Sequence, residues 1–424
     1  MVMTGSTVAI PSDDKADVSQ RKPNELNVWQ EHPLRSLLVQ PATYGVVKAG
    51  KFLPSGVPMM RGGDIKNGRI ISTNLPRISF EKADEYRRTT LRHNDVVIAL
   101  VGYPGEAAEV PSSLVGANIS RAVGLLRPSP SINPKFLVAF LNSPIGRAEF
   151  LKPGAGSAQL VVNLRDLNLL KIPLPDPEEQ RVIAESLTDS DSWIASLEEL
   201  IEKKHCIKQG AMQELLSGRR RLPTFSGEWA PTSLGARGAF FKGSGIRRDQ
   251  AQSGELPCVR YGELYTHHED VIHSFHSKIS PAVATTAQKV ARGDILFAGS
   301  GETKGEIGKC AVLEGAEYAY AGGDIIVFRP RDDDPIFLAY YLNSAPIQAQ
   351  KAAKGQGDAV VHISARALSD LEFLLPCREE QKAIAQLLLS MDSELESLEI
   401  RLEKARQIKH GMMQELLTGR VRLL

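Results

Sequence analysis

Apolar residues recur at alternating four- and three-residue steps through two widely separated stretches of this chain. In the later stretch Ile384, Leu388, Met391, Leu395, Leu398, Leu402, Ala405, Met412 and Leu416 hold the pattern, with Lys409 in one expected slot. In the earlier one Ile183, Leu187, Ile194, Leu197, Ile201, Ala211 and Leu215 keep the same frame, interrupted at Ser190, Lys204 and Lys208. Such spacing predicts two long helices, each with a heptad seam. One helix cannot bury a seam alone, so the economical partner for each is the other. About forty residues at ~1.5 Å each give a rod of roughly 60 Å. Gly218 and Gly419 fall where helix-ending glycines belong, and Pro175, Pro177 and Pro376 mark backbone that is not yet helical.

The two stretches are copies. Leu174 to Leu222 recurs without a gap as Leu375 to Leu423, and 27 of the 49 aligned positions are identical. Self-similarity of this kind governs the reading of the whole chain. Exposed positions match as well as seam positions do: Glu179/Glu380, Gln180/Gln381, Lys208/Lys409, Gln213/Gln414 and Glu214/Glu415. Two equivalent surfaces imply two equivalent partners, and these ten residues are the candidates for docking them.

The segments before and between the helices repeat more loosely. Each opens on a tryptophan, Trp29 or Trp229. VPMMRGGDI (57–65) answers LPCVRYGEL (256–264), and LRHNDVVIAL (91–100) answers VARGDILFAG (290–299). β-Branched runs at Val96 to Val101, Ile295 to Ala298 and Ile325 to Phe328 read as strands, each beside a turn signal. Phe136 to Leu141 and Phe337 to Leu342, each after a proline, read as short helices. The expected class is α+β: two mixed α/β domains separated by two long helices packed as an antiparallel coiled coil, with an internal pseudo-two-fold repeat. The expected boundaries are a mobile tail (1–20), a first domain (21–173), a central helical repeat (174–222), a second domain (223–374) and a C-terminal helical repeat (375–424).

Composition changes this picture little. No apolar run approaches the ~18 residues needed to span a bilayer, and the N-terminus lacks the charged start and apolar core of a secretion signal. A cytoplasmic chain is expected. Cys206, Cys258, Cys310 and Cys377 are scattered without metal-site or disulfide spacing. The net charge of +1 hides a division. Arg21 to Lys171 holds 20 basic against 11 acidic residues, Leu174 to Gly218 holds 4 against 10, and Arg219 to Leu374 balances at 18 each. A basic domain beside an acidic helix points to a localised phosphate-binding face.

Catalytic chemistry is not evident. GSGETKGEIGK (299–309) lacks the spacing of a nucleotide loop, and Cys310 stands where a hydroxyl should bind magnesium. It reads instead as a glycine-rich hairpin whose Lys304 and Lys309 can approach phosphates. GAGSA (154–158) is equally weak as a dinucleotide fingerprint. The neighbours His267 and His268 read as a solvated pair, and no Asn-Pro-Pro-aromatic or Asp-Pro-Pro-aromatic tetrad for amino-group methylation is present. Cationic and polar side chains are better represented. Lys48, Lys51, Arg61, Lys66, Asn67, Arg69, Arg87, Arg88 and Arg92 crowd the first domain, and Lys242, Ser244, Arg247 and Arg248 the second. Arginine and asparagine can read base edges, while lysine mostly holds phosphates.

With these motifs in hand, the chain resembles the specificity subunits of Type I restriction-modification systems along nearly its whole length. The duplicated LPxxEEQ…MQELL(S/T)GR helices carry the resemblance, with the RGGDI and RYGEL strands, GDILF and the closing LP endings. The resemblance implies two target-recognition domains, each reading half of a split, asymmetric sequence in double-stranded DNA. The helical pair would set the gap and dock two methyltransferase subunits. S-adenosylmethionine, ATP and magnesium would belong to partner subunits, with restriction subunits as further partners and no membrane. Four residues inserted near Gln209 would then widen the gap. The alternatives are a self-contained DNA methyltransferase or nuclease with a degenerate site, or a coiled-coil scaffold without a DNA role.

Overall fold

A computed structural model describes residues 29–153, 160–357 and 359–424. The expected tail and the GAGSA segment lie outside them. The chain divides into two compact units, one running to Ser196 and taking up Leu402–Leu424, the other spanning Leu197–Arg401.

In the first unit an antiparallel sheet has the order Thr43–Tyr44, Val123–Leu126, Val96–Ala99, Ala107–Glu109. Val96–Ala99 is buried throughout because successive side chains enter different cores. Val96 and Ile98 pack with Phe136 and Phe140, whereas Val97 and Ala99 pack with Met60, Ile65 and Ile119. The second face is covered by a small sheet in which Val57–Met60 pairs antiparallel with Arg77–Ile78 and parallel with Asn118–Ile119. Over the first face lies the helix Pro134–Asn142, capped by the Asn133 carbonyl oxygen accepting from the Lys135 and Phe136 amides. Gln30–Pro33 pairs with Lys171–Leu174, closing the domain where the first long helix begins.

The second unit repeats this frame. Its main sheet runs Gly238–Lys242, Ile325–Pro330, Ile295–Ala298, Cys310–Leu313, Val271–Ile272. Ile295 and Phe297 pack with Phe337 and Tyr340, while Leu296 and Ala298 pack with Val259, Val290 and Ala319. The helix Pro335–Leu342 is capped by Asp334, and Ala230–Ser233 pairs with Glu372–Leu375 to close the domain. The expected strands and short helices are therefore present. The first strand stops at Ala99, because from Leu100 the chain leaves the sheet for a loop.

The long helices are Pro177–Leu215 and Arg378–Leu416, 39 residues each. Pro177 lies inside the first helix rather than before it, as its first residue, where a missing amide costs nothing. Each unit joins the first half of one helix to the second half of the other. Ile183, Ala184 and Leu187 share a core with Met413, Leu416 and Leu417 in the first unit. In the second, Leu215 and Leu216 share one with Ile384, Ala385 and Leu388. The polar breaks in the seam are answered across it. Lys409 bonds Asp191 at 2.5 Å in the first unit, and in the second Lys204 meets Glu394 at 2.7 Å while Lys208 meets Asp392. Rising numbers on one helix match falling numbers on the other, so the pairing within each unit is antiparallel.

Beyond each helix the chain turns at a glycine with positive φ, Gly218 at 70° and Gly419 at 71°. A β-carbon there would stand 3.4 Å from Trp229 and 3.2 Å from Trp29 respectively, so the opening tryptophan of each domain is the floor under the turn. The turn returns an arginine to the start of the opposite helix. Arg221 grips Glu380 with two hydrogen bonds and Arg422 grips Glu179 in the same way. Each guanidinium also covers its tryptophan, at 5.6 and 5.5 Å.

These contacts correct the docking assignment. Glu179 and Glu380 are fully buried in the arginine latches, and Gln180 and Gln381 are 1% exposed. Gln180 accepts from the Asn133 amide and donates to the Ser131 and Pro175 carbonyls; Gln381 accepts from the Asp334 amide and donates to Asp333 and to the Pro376 carbonyl. Lys208 and Lys409 are spent on the opposite helix. Their identity between copies reflects the same internal bond made twice. Gln213 and Gln414 remain exposed, and Glu214 and Glu415 are half-buried beside Arg219 and Arg420.

Candidate nucleic-acid interface

In the first unit the strand Val57–Met60 delivers the chain to Arg61, Gly62 and Gly63 and then to a two-residue hairpin, Ile65–Lys66 against Arg69–Ile70. Asn67 (φ 51°) and Gly68 (φ 72°) make its turn. Two consecutive positive φ values suit a type I′ turn, which is why Asn-Gly stands there. Lys66, Asn67 and Arg69 are all exposed on this hairpin. Arg61 is also exposed but bonds the Asp64 carboxylate through two nitrogens, at 3.0 and 3.2 Å, and this raises its pKa.

A residue overlooked in the sequence joins them. Tyr103 is 51% exposed, and the Lys66 ammonium lies 4.9 Å from its ring centre. The pairing crosses 37 positions, and no pattern local to either residue could disclose it. The other first-domain candidates form separate exposed groups. Lys48 and Lys51 stand on the loop that ends at exposed Phe52 and Leu53, with Leu53 bridged to Arg77. Arg87 and Arg88 belong to the turn Arg87–Thr89, with Arg92 after it. That turn is anchored from beneath, where Thr89 donates to buried Asn118 at 2.7 Å.

In the second unit Lys242 ends an edge strand, and Ser244, Arg247 and Arg248 follow, all four exposed. Ser244 donates to the Thr286 carbonyl at 2.9 Å. A β-carbon on Gly322 would lie 3.4 Å from Ile246 and 3.6 Å from Arg260, so this loop runs beside the Arg260–Gly262 turn. The glycine-rich segment is the expected hairpin, linking Ile295–Ala298 to Cys310–Leu313. Lys304 is exposed upon it. Lys309 is half-buried and lines a cleft of about 460 Å³ with Lys208, Asp270 and Asn343, so it does not join Lys304. The hairpin is held from below by Lys351, fully buried, whose ammonium donates to the Gly308 carbonyl at 2.7 Å. Burial lowers the Lys351 pKa.

The histidine pair is not solvated as expected. His267 is exposed and stacks on His276 at 3.9 Å, but His268 is 6% exposed and its Nε2 has no partner. Burial, with repulsion from His267, Lys309 and His276, lowers its pKa from 6.5 to about 4. Between those values the unfolded chain binds the proton more readily, so stability falls as pH falls from 6.5 toward 4. Asp270, whose burial raises its pKa, titrates in the opposite sense and is common to both chains compared here. H268Q is expected to remove up to roughly 3 kcal/mol of the pH dependence in that window. Urea unfolding at several pH values measures it, and an unchanged slope would contradict the assignment.

Exposed cations, a polar hairpin tip and exposed aromatic rings, carried on rigid strands, are the chemistry of a surface that holds phosphates and touches base edges. Comparison with known proteins agrees. A family model described as the Type I restriction modification DNA specificity domain matches residues 46–204 and 236–405. The type I restriction enzyme EcoBI specificity subunit of Escherichia coli is 29% identical over 45% of this chain and 40% of its own. The MjaVIII specificity subunit of Methanocaldococcus jannaschii is 25% identical over 60% and 63%. The chain thus spans less than two thirds of the length of these two curated relatives. A solved S subunit of a Type-I restriction-modification system from M. genitalium matches 93% of this chain and 97% of its own with a TM-score of 0.56 and 16% identity, a likeness of fold.

Proposed function

The chain belongs to the family of type I restriction modification DNA specificity domains, and from that premise we propose that it reads a bipartite, asymmetric DNA target with one domain per half-site. The observation that carries this reading is the duplicated frame with divergent exposed residues: each domain places a different cationic loop set beside the same Arg-x-Gly turn. The paired helices act as the spacer between half-sites and dock two methyltransferase subunits. Gln213, Glu214, Gln414 and Glu415 remain the docking candidates. Catalysis belongs to the partners, which bring S-adenosylmethionine and, where restriction subunits join, ATP and magnesium.

The purified chain is expected to neither methylate nor cleave DNA, and to support sequence-specific adenine methylation once its methyltransferase subunits are added. Methyl transfer by the chain alone would sink the reading. Exchanging Trp229 to Leu374 for the matching segment of a relative should change one half-site in the methylation map and leave the other intact; a change in both would refute one domain per half-site.

A further inference from the structure

We propose that Tyr103 and Tyr261 are equivalent base-contacting side chains, one in each recognition domain, brought to the same turn by different routes. The inference rests on the bipartite reading above and names side chains within it.

In the first domain the turn reads Arg61-Gly62-Gly63. A β-carbon on Gly62 would fall 2.0 Å from the Val101 carbonyl oxygen, so the neighbouring loop lies directly on the turn and no larger residue fits. That loop supplies the aromatic. Tyr103-Pro104-Gly105-Glu106 is closed by the Glu106 amide donating to the Tyr103 carbonyl at 3.2 Å, with Gly105 at φ 89° as a type II turn requires. The Glu106 carboxylate accepts from Arg147 and, at 3.4 Å, from the Gly68 amide, tying the loop to the Asn-Gly hairpin. The ring is thus held on two rigid turns while half of it faces solvent beside Lys66.

In the second domain the turn reads Arg260-Tyr261-Gly262, and Tyr261 occupies the place of Gly62. The corresponding hairpin is drawn elsewhere: Ser300–Gly301 pairs with Val361–His362, and the Tyr265 hydroxyl donates to the Ser300 carbonyl at 3.1 Å. Tyr261 is 38% exposed, next to the loop that carries Lys242, Arg247 and Arg248. Where the loop covers the turn, the loop carries a tyrosine; where it does not, the turn itself does. An exposed ring among cations meets a DNA groove through apolar contact with base edges or base steps.

The test uses the full chain with its methyltransferase subunits, after domain exchange has assigned each half-site. Y103A is expected to weaken binding about ten- to hundredfold, the cost of one wrong base pair, and to relax one position of the first-domain half-site only. Y261A should do the same in the second. Y103F and Y261F, which keep the ring, should recover most of each loss. Alanine variants with unchanged affinity and unchanged maps would overturn the proposal, as would relaxation of both half-sites by either one. A wild-type complex that methylates no split target would instead overturn the reading beneath it.

Discussion

R221A lowers the melting temperature of the chain by about 5 to 10 °C, and R422A does likewise. Each arginine ends a helical repeat and returns to a carboxylate with no solvent exposure, Glu380 or Glu179. Removing one partner of a buried pair leaves the other charge desolvated and unpaired, which costs about 3 to 5 kcal/mol when both are fully buried. The arginines here are 24% and 36% exposed, and water that reaches the vacated site relieves part of the cost. A loss of about 2 to 3 kcal/mol remains, and for units near this size each kcal/mol is worth roughly 2 to 4 °C. Each latch lies within one unit, so R221A should soften the second and R422A the first. Lysine, which cannot make the two-pronged bond or cover the tryptophan as well, should rescue only partly. Calorimetry that finds either alanine variant within about 1 °C of the parent would show the latch to be ornamental.

Lengthening both helices by four residues is expected to widen the unspecified gap of the target by one or two base pairs while both half-sites stay unchanged. Four helical residues add about 6 Å, against ~3.4 Å per base pair, and make little more than one turn. The structure moves the insertion point. Gln209 is next to Lys208, whose ion pair with Asp392 belongs to the second unit, and just before Ala211, Met212 and Leu215, which pack into that unit's core. An insertion there would break a domain rather than lengthen a spacer. The chain passes from one unit to the other after Ser196 and after Arg401, and both places must receive the four residues so that each unit keeps its own helix pairing. A methylation map of the double insertion with the original gap at full activity would refute a helical ruler.

Much of this molecule is legible in one sequence because it is written twice. The heptad steps, the helix-ending glycines and the near-identity of the repeats determine two long helices that need each other, and the β-branched runs determine the buried strands. Those signals are local: a period of seven, a positive φ, an alternation between two cores. What only the tertiary structure decided is the use of the polar residues. Glu179 and Glu380 match between the copies as a docking surface would, yet they are buried under arginines more than 150 positions away. Lys208 and Lys409 break the seam in sequence and complete it in space. Tyr103 enters the candidate interface only because Gly62 leaves room for its loop. A side chain's charge and periodicity are properties of its own segment, but whether it is buried, paired or free depends on which distant segment packs against it, and the fold alone sets that.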